Sequence, residues 1–166
     1  DVRKFIYKSY AKKFYKSYFL QSTKQIPFID VKLAISKDNL TVNKKDKWIT
    51  NNISRKVGNF LRSKYDCILS TSKTINKDNS LLDCRIEGLE QKSPAVIIVD
   101  RLFKIKKQLK IFKNKSREIF IFTQTKNQLK EEYFNKIGVN IIKLKRSNNL
   151  KNDTSEVYFF LKKLGF

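Results

Sequence analysis

The few arginines stand out in a chain whose cations are mostly lysine. The 166 residues carry 37 basic side chains, and seven of these are arginines. An arginine in this background points to its planar guanidinium, whose fork of N–H groups binds a phosphate in a bidentate way. An arginine such as Arg62 or Arg85 is therefore a candidate phosphate ligand. For each of them, an ordinary surface salt bridge is the alternative.

The absence of histidine excludes several chemistries. The chain has no histidine and two cysteines, Cys67 and Cys84. A structural zinc site usually takes four Cys or His ligands, and the Ser-His and Cys-His nucleophile pairs need an imidazole. We therefore expect no metal site and no such pair. Both cysteines are interpreted as reduced thiols of a cytosolic protein.

The formal net charge of +22 raises the question whether the chain binds nucleic acid. A basic surface is the electrostatic footprint of phosphate binding. The excess, however, is lysine in a chain also rich in Asn and Ile, as A/T-rich coding would give, whereas readers of nucleic acid favour arginine. We interpret the charge mainly as this bias and expect any nucleic-acid binding to be non-specific. A functional basic patch stays the alternative.

Length and hydropathy limit the class of protein. A chain of this length fits one domain with a real core, and 40% apolar residues argue against disorder. No stretch approaches the ~20 apolar residues of a membrane span, and the N-terminus lacks the apolar core of a signal peptide. The expected location is the cytoplasm, without a membrane.

Strand-like and helix-like segments alternate along most of the chain. Apolar and β-branched runs predict strands at 28–34, 67–70, 95–99, 119–123 and 139–144. Helical spacing and capping residues predict helices at 53–64, at 127–137 with an end at Gly138, and from Thr154 or Ser155 onward. This alternation predicts an α/β fold with a largely parallel sheet.

Residues 1–26 form a basic aromatic segment or linker. Phe5, Tyr10, Phe14 and Tyr18 recur at helical spacing, with lysines on the other faces. Such a helix could lie on a membrane or a partner. We favour packing of the aromatic side chains on the chain's own domain or on an upstream domain.

Several segments, taken in order, resemble one known family. They are PFIDVKLAISKD at 27–38, DKWIT at 46–50, a helix-like stretch with Arg62, and TSKTINKDNSLLDCR at 71–85. Together they resemble the reductase domain of the bacterial bifunctional riboflavin biosynthesis deaminase/reductase, in the dihydrofolate-reductase-like superfamily. The resemblance implies that residues 27–166 form a dihydrofolate-reductase-like, mostly parallel sheet flanked by helices.

The resemblance also implies an activity. In this family NADPH reduces the ribose C1 carbon of 5-amino-6-(5-phosphoribosylamino)uracil, which opens the ribose to a ribityl chain. Positioning and pre-organised electrostatics account for most of such a rate gain, so the lack of histidine is no objection. A homodimer and an upstream deaminase domain are implied as well. The alternative is a non-catalytic basic module on the same fold that binds nucleic acid or an acidic partner.

Individual roles follow from the resemblance, position by position. The catalytic candidates are Lys32 and Asp78. The residues that match cofactor contacts are Ala34, Trp48, Thr74, Asp78 and Arg101, with Asp100 beside the last. Thr74 and Asp78 are expected in a polar loop after the strand at 67–70. The residues that match substrate contacts are Lys32, Asp46, Arg62, Leu82 and Arg85. A buried structural role for the tryptophan and a turn-capping role for Asp78 are the alternatives.

The sequence departs from the family pattern in three places. Asn39 replaces a glycine, which a left-handed Asn can do. Asp46 replaces a serine near the substrate phosphate and would repel it unless Lys45 or Lys47 compensates. After Phe166 the family continues into a Glu-Gly-Gly turn that cradles the diphosphate, so we expect the domain to be incomplete at its C-terminus.

Overall fold

The computed structural model describes residues 6–41, 48–147 and 150–166. Contacts divide the chain into two units, residues 1–31 with 149–166 and residues 32–148. The predicted division into a segment of residues 1–26 and a domain of residues 27–166 stays a prediction.

Four parallel strands form the sheet of the second unit. They are β1 (Cys67–Thr71), β2 (Ala95–Val99), β3 (Ile119–Thr123) and β4 (Asn140–Lys143), and they lie side by side in that order. Apolar runs such as β2 and β3 are typical of parallel strands covered on both faces. The predicted parallel α/β sheet is confirmed, with β2 and β3 at the predicted bounds.

Three helices belong to the same unit, each with a side-chain N-cap. They are α3 (Asn52–Arg62), capped by Asn51, α4 (Ser72–Asp78), capped by Thr71, and α5 (Gln128–Lys136), capped by Asn127. In each case the cap oxygen accepts a hydrogen bond from a backbone N–H that has no partner within the helix. The predicted stop at Gly138 is confirmed by its φ of +81°. Short 3₁₀ turns occur at Glu90–Lys92 and Lys110–Lys113.

The main core lies on one face of the sheet. Ile75 of α4 and Phe134 of α5 are fully buried in one cluster with Val96, Ile98 and Ile121 of the strands. The Phe134 ring lies 5.0 Å from the ring of Phe112 and 5.9 Å from that of Phe103. Alternate residues of the strands point to the opposite face, where Ile97, Phe120 and Phe122 are also buried.

The first unit is helical. Its elements are α1 (Lys8–Phe14), α2 (Lys16–Phe19), a π-helical turn (Leu20–Lys24) and α6 (Leu150–Lys163). The helical spacing of Tyr10, Phe14 and Tyr18 is confirmed, and all three rings are largely exposed. Packing of these rings on the chain's own domain or on an upstream domain stays a prediction. Phe5 lies outside the described residues. The last helix begins at Leu150 rather than Thr154, since Leu and Lys at its start are themselves good helix formers.

The predicted strand 28–34 is wrong. These residues form no strand, and Val31 and Leu33 are 78% and 70% exposed. β-propensity reflects packing on a half-buried pleated surface and needs a neighbouring strand. Among the described residues no strand of the sheet pairs with this segment. Lys32 therefore does not point off a strand, and Ala34 does not end one.

The turn that follows agrees with the sequence. Asn39 has a φ of +61°, the left-handed conformation expected of an Asn that replaces Gly. Its N–H donates to the Ser36 carbonyl at 3.0 Å, and the Leu40 N–H donates to Ser36 Oγ at 3.0 Å.

Removing the Phe134 ring should reveal how much the core depends on it. Phe134→Ala deletes a fully buried ring from the main core, so the free energy of unfolding should fall by about 3–5 kcal/mol. Leu129→Ala on the same helix is the control. Leu129 is 77% exposed, and its change should stay within about 0.5 kcal/mol. Urea unfolding followed by circular dichroism measures both; equal losses would contradict the described core.

Candidate functional site

Three arginines meet around one carboxylate at the edge where the strands begin. Arg62 is the last residue of α3, Asp83 and Arg85 lie in the loop between α4 and β2, and Arg117 precedes β3. Arg62 and Arg117 both interact electrostatically with Asp83, and Arg85 is ion-paired to it. We call Arg62, Asp83, Arg85 and Arg117 the arginine cluster.

Arg62 holds the loop through its backbone. Its Nη1 donates to the Asp83 carbonyl at 2.8 Å and to Asn59 Oδ1 at 2.9 Å. Burial lowers the pKa of the Arg62 guanidinium, Arg85 lowers it further, and Asp83 opposes the decrease. A guanidinium remains charged despite such a shift. Arg62 therefore brings a fixed, partly desolvated positive charge to the cluster.

Arg85 is the solvent-facing member of the cluster. Its side chain is 60% exposed, and its Nε lies 3.4 Å from Asp83 Oδ1. The surface salt bridge weighed for this residue therefore exists. It uses Nε, however, and an exposed pair of this kind contributes little to stability. The guanidinium remains accessible to an anion.

Leu82 lies between these two arginines with an unusual backbone. Its φ is +58°, a left-handed conformation that leucine rarely adopts. Its carbonyl accepts a hydrogen bond from Arg117 Nη1 at 2.8 Å. The structure thus brings the predicted Arg62, Leu82 and Arg85 together. Arg117 was not predicted, and its being one of the few arginines was the signal that could have marked it.

Thr74 and Asp78 lie on a helix rather than in the predicted polar loop. Thr71 Oγ1 accepts the Thr74 N–H at 3.3 Å and starts α4, and Asp78 ends it. Both residues are exposed. Positions four apart share one face of a helix. A hydroxyl and a carboxylate therefore lie one turn apart on the exposed side of α4.

Two asparagines that were not predicted fix α4 in place. Asn76 Nδ2 donates to the Lys104 carbonyl and its Oδ1 accepts the Lys106 N–H, both at 3.0 Å. Asn79 Oδ1 accepts the Lys110 N–H at 2.9 Å. Buried Ile75 anchors the same helix in the core. These hydrogen bonds and the burial of Ile75 fix the position of α4, and with it the position of its exposed face.

Asp100 and Arg101 end β2 as predicted, but both engage the protein itself. Asp100 is 3% exposed, and its Oδ2 accepts the Ile105 N–H at 2.6 Å. Arg101 Nε donates to Gln124 Oε1 at 3.2 Å, and its Nη2 donates to the Ser147 carbonyl at 2.7 Å. These two residues shape the loops at the strand ends.

The remaining predicted residues precede α3. Trp48 is 56% exposed, with the Arg55 guanidinium 4.9 Å from its ring centroid, so a buried structural role for the tryptophan is wrong. Lys32 is exposed and Ala34 is half-buried. Asp46 lies outside the described residues.

Residues 6–41, 48–147 and 150–166 contain no group of His, Cys, Asp or Glu that could hold a metal ion. No helix within these ranges is long and apolar enough to cross a membrane. Both cysteines are free. Burial, with a smaller contribution from Asp66, raises the pKa of the Cys67 thiol to about 11.

This pKa predicts a slowly reacting thiol at Cys67. The thiolate is the reactive form, and its raised pKa leaves roughly one molecule in 1,000 ionised at pH 8. In a Cys84→Ala variant, iodoacetamide should alkylate Cys67 on the order of 100-fold more slowly than an unstructured cysteine peptide. The rate should climb through pH 10. Because the unfolded thiol ionises first, stability should fall as the pH rises from about 9 to about 11; fast alkylation at pH 8 would contradict the described burial.

The fold matches solved structures over most of the chain. A deaminase/5-amino-6-(5-phosphoribosylamino)uracil reductase from Thermotoga maritima superposes with a TM-score of 0.71 at 22% identity, covering 93% of this chain and 41% of that one. RibD from Acinetobacter baumannii superposes with a TM-score of 0.68 at 20% identity, covering 90% and 42%. At these identities the likeness shows the fold.

Curated relatives and a family model agree with this structural likeness. The chain is 31% identical over 144 residues to riboflavin biosynthesis protein RibD of Aquifex aeolicus, covering 86% of this chain and 40% of that protein. It is 44% identical over 72 residues to RibD of Buchnera aphidicola, covering 42% and 19%. The chain thus spans at most about two fifths of these relatives. The model of the RibD C-terminal domain matches residues 27–156, and the chain belongs to that family.

Proposed function

We propose that the chain carries the NADPH-dependent reductase activity of riboflavin biosynthesis. The reaction is the reduction of the ribose of 5-amino-6-(5-phosphoribosylamino)uracil to the ribitylamino product. The observation that carries the proposal is the arginine cluster, in which Arg62 of α3 is bonded to the loop that carries Leu82 and Arg85, in a chain of the RibD C-terminal domain family. Each of these three residues also matches a substrate-contacting position of the family.

Charge balance in the arginine cluster suits a phosphorylated substrate. Three guanidinium groups lie close enough to the single Asp83 carboxylate to interact with it electrostatically, and Arg85 is ion-paired to it. A phosphate monoester carries about −1.5 to −2 at neutral pH. Exposed Arg85 would bind the phosphate oxygens directly. Arg62 would add a charge-assisted hydrogen bond from a partly desolvated position, where the pair is stronger than in water. Leu82 would contribute a backbone group and Lys32 a contact near the sugar, and Asp46 matches a family position near the substrate phosphate.

The exposed face of α4 fits the nicotinamide end of the cofactor. NADPH, when bound, supplies the hydride. Thr74 and Asp78 present a hydroxyl and a carboxylate that can hydrogen-bond to a carboxamide or ribose, close to the carboxyl end of β1 where open α/β sheets bind ligands. We assign Asp78 the role of orienting the reactive ring. Ala34 and Trp48 would line the same end, and Arg101 the adenosine half.

The same family suggests a partner domain, an oligomeric state and a location for the chain. The name of the Thermotoga maritima protein joins a deaminase to the reductase, and we propose a deaminase domain as the partner of this chain. A homodimer in the cytoplasm completes the proposal.

Removing one arginine of the cluster should weaken the binding of the substrate and leave the binding of NADPH unchanged. Arg62→Ala and Arg85→Ala, made in the full reading frame that encodes the chain, should each cost about 1.5–3 kcal/mol of binding energy for the phosphorylated substrate, the range of a hydrogen bond to a charged group. NADPH affinity should barely change. Exposed Arg146→Ala is the matched control. Calorimetric titration measures both affinities. Equal losses of affinity for substrate and cofactor would contradict the assignment of Arg62 and Arg85 to the substrate phosphate.

Removing the Asp78 carboxylate should misplace the hydride donor. In the full reading frame, Asp78→Ala should lower kcat/KM by ~100-fold, because small errors in geometry are costly. Thermal stability should stay nearly unchanged, since Asp78 is exposed. Lys77→Ala, exposed on the same helix, is the control. NADPH absorbance at 340 nm follows the reaction, and an Asp78→Ala enzyme as fast as its parent would exclude the residue from the site.

A further inference from the structure

Arg117 holds the backbone of the loop that carries the candidate phosphate site. Its Nη1 donates to the Leu82 carbonyl at 2.8 Å and to the Pro94 carbonyl at 3.4 Å, and its Nη2 donates to the Leu81 carbonyl. Arg62 donates to the next carbonyl, that of Asp83. Three successive carbonyls of the loop, at residues 81–83, are therefore fixed by two guanidinium groups.

The conformation of the loop depends on these hydrogen bonds. Leucine at a φ of +58° is in a region that L-residues avoid, and it persists where the surroundings impose it. Arg85 follows three positions later, so the direction of its side chain depends on this backbone. A change in the Leu82 backbone would therefore alter the position of Arg85 relative to the rest of the cluster.

Arg117 is suited to this task in a way that lysine is not. It lies two residues before buried Ile119 at the start of β3, so its own backbone is tied to the core strand. Burial lowers the pKa of the Arg117 guanidinium, with Asp83 opposing the decrease and Arg62 adding to it. The planar fork serves two adjacent carbonyls at once, whereas an ammonium is a single point of donation.

We propose that Arg117 is a positioning residue of the substrate phosphate site. It holds the backbone of residues 81–83 so that the Leu82 backbone and the Arg85 guanidinium together face the phosphate. The inference rests on the proposed function for its ligand. The hydrogen bonds from Arg117 to the loop are present in the free protein, so their effect on the loop can be tested without a ligand.

The test compares Arg117→Lys with Arg146→Lys in the full reading frame. Lysine keeps the charge but loses the fork, so the Kd for the phosphorylated substrate should rise about tenfold or more. The Kd for NADPH and kcat at saturating substrate should stay within about twofold. Amide hydrogen exchange of the free protein, read by mass spectrometry over residues 80–86, should become faster. Arg146→Lys should change none of these quantities.

A double-mutant cycle separates positioning from mere stability. In an Arg85→Ala background, Arg117→Lys should raise the substrate Kd by a clearly smaller factor than in the parent, because one of the two groups that Arg117 positions is gone. Equal effects in both backgrounds, or exchange over residues 80–86 that stays at the parent rate, would overturn the inference. A parent protein that shows no affinity for the phosphorylated substrate would overturn the proposed function and this role with it, whatever the exchange data show.

Discussion

The parallel ladder from β1 to β4 determines where each polar loop of the sheet unit can lie. Parallel neighbours cannot be joined by a tight turn, so every connection must run back across the sheet. Segments that enter the strands gather at one edge, and segments that leave them gather at the other. Pro94 and Arg117 lie just before β2 and β3, whereas Thr71 and Thr123 end β1 and β3. The arginine cluster and the residues at the carboxyl ends are thus on opposite edges.

The helix α4 connects those two edges. It begins directly after β1, and seven residues at 1.5 Å each carry the chain about 10 Å back along the sheet. The next residues, 79–85, then reach the arginine cluster. Residues 71–85 therefore join the candidate cofactor face to the candidate substrate cluster in one continuous stretch. A hydride transfer needs donor and acceptor in one fixed geometry, and the asparagines that hold α4 supply part of that rigidity.

Local sequence was sufficient for some elements and not for others. Apolar β-branched and aromatic runs placed β2 and β3, and Gly138 placed the end of α5. The strand expected at 28–34 had the same local pattern but no ladder partner, which a local pattern cannot reveal. Residues 72–78 appeared loop-like because Ser, Asn and Asp favour turns, yet a Thr71 cap and buried Ile75 make them a helix. Arg117 bonds to carbonyls 35 and 36 positions away, so no local signal existed.

The arginines show what the sequence argument about phosphate lacked. Four of them donate to backbone carbonyls of loops, and these are Arg55, Arg62, Arg101 and Arg117. A lysine-rich chain thus uses arginine where a directional, multiple donor is required, and a loop carbonyl meets that description as well as a phosphate does. Arg85 differs because its side chain is mostly exposed and its described partner is a carboxylate. The same distinction argues against a nucleic-acid surface, since four of the side chains best suited to reading bases use N–H groups on the chain's own backbone and keep fewer donors for bases.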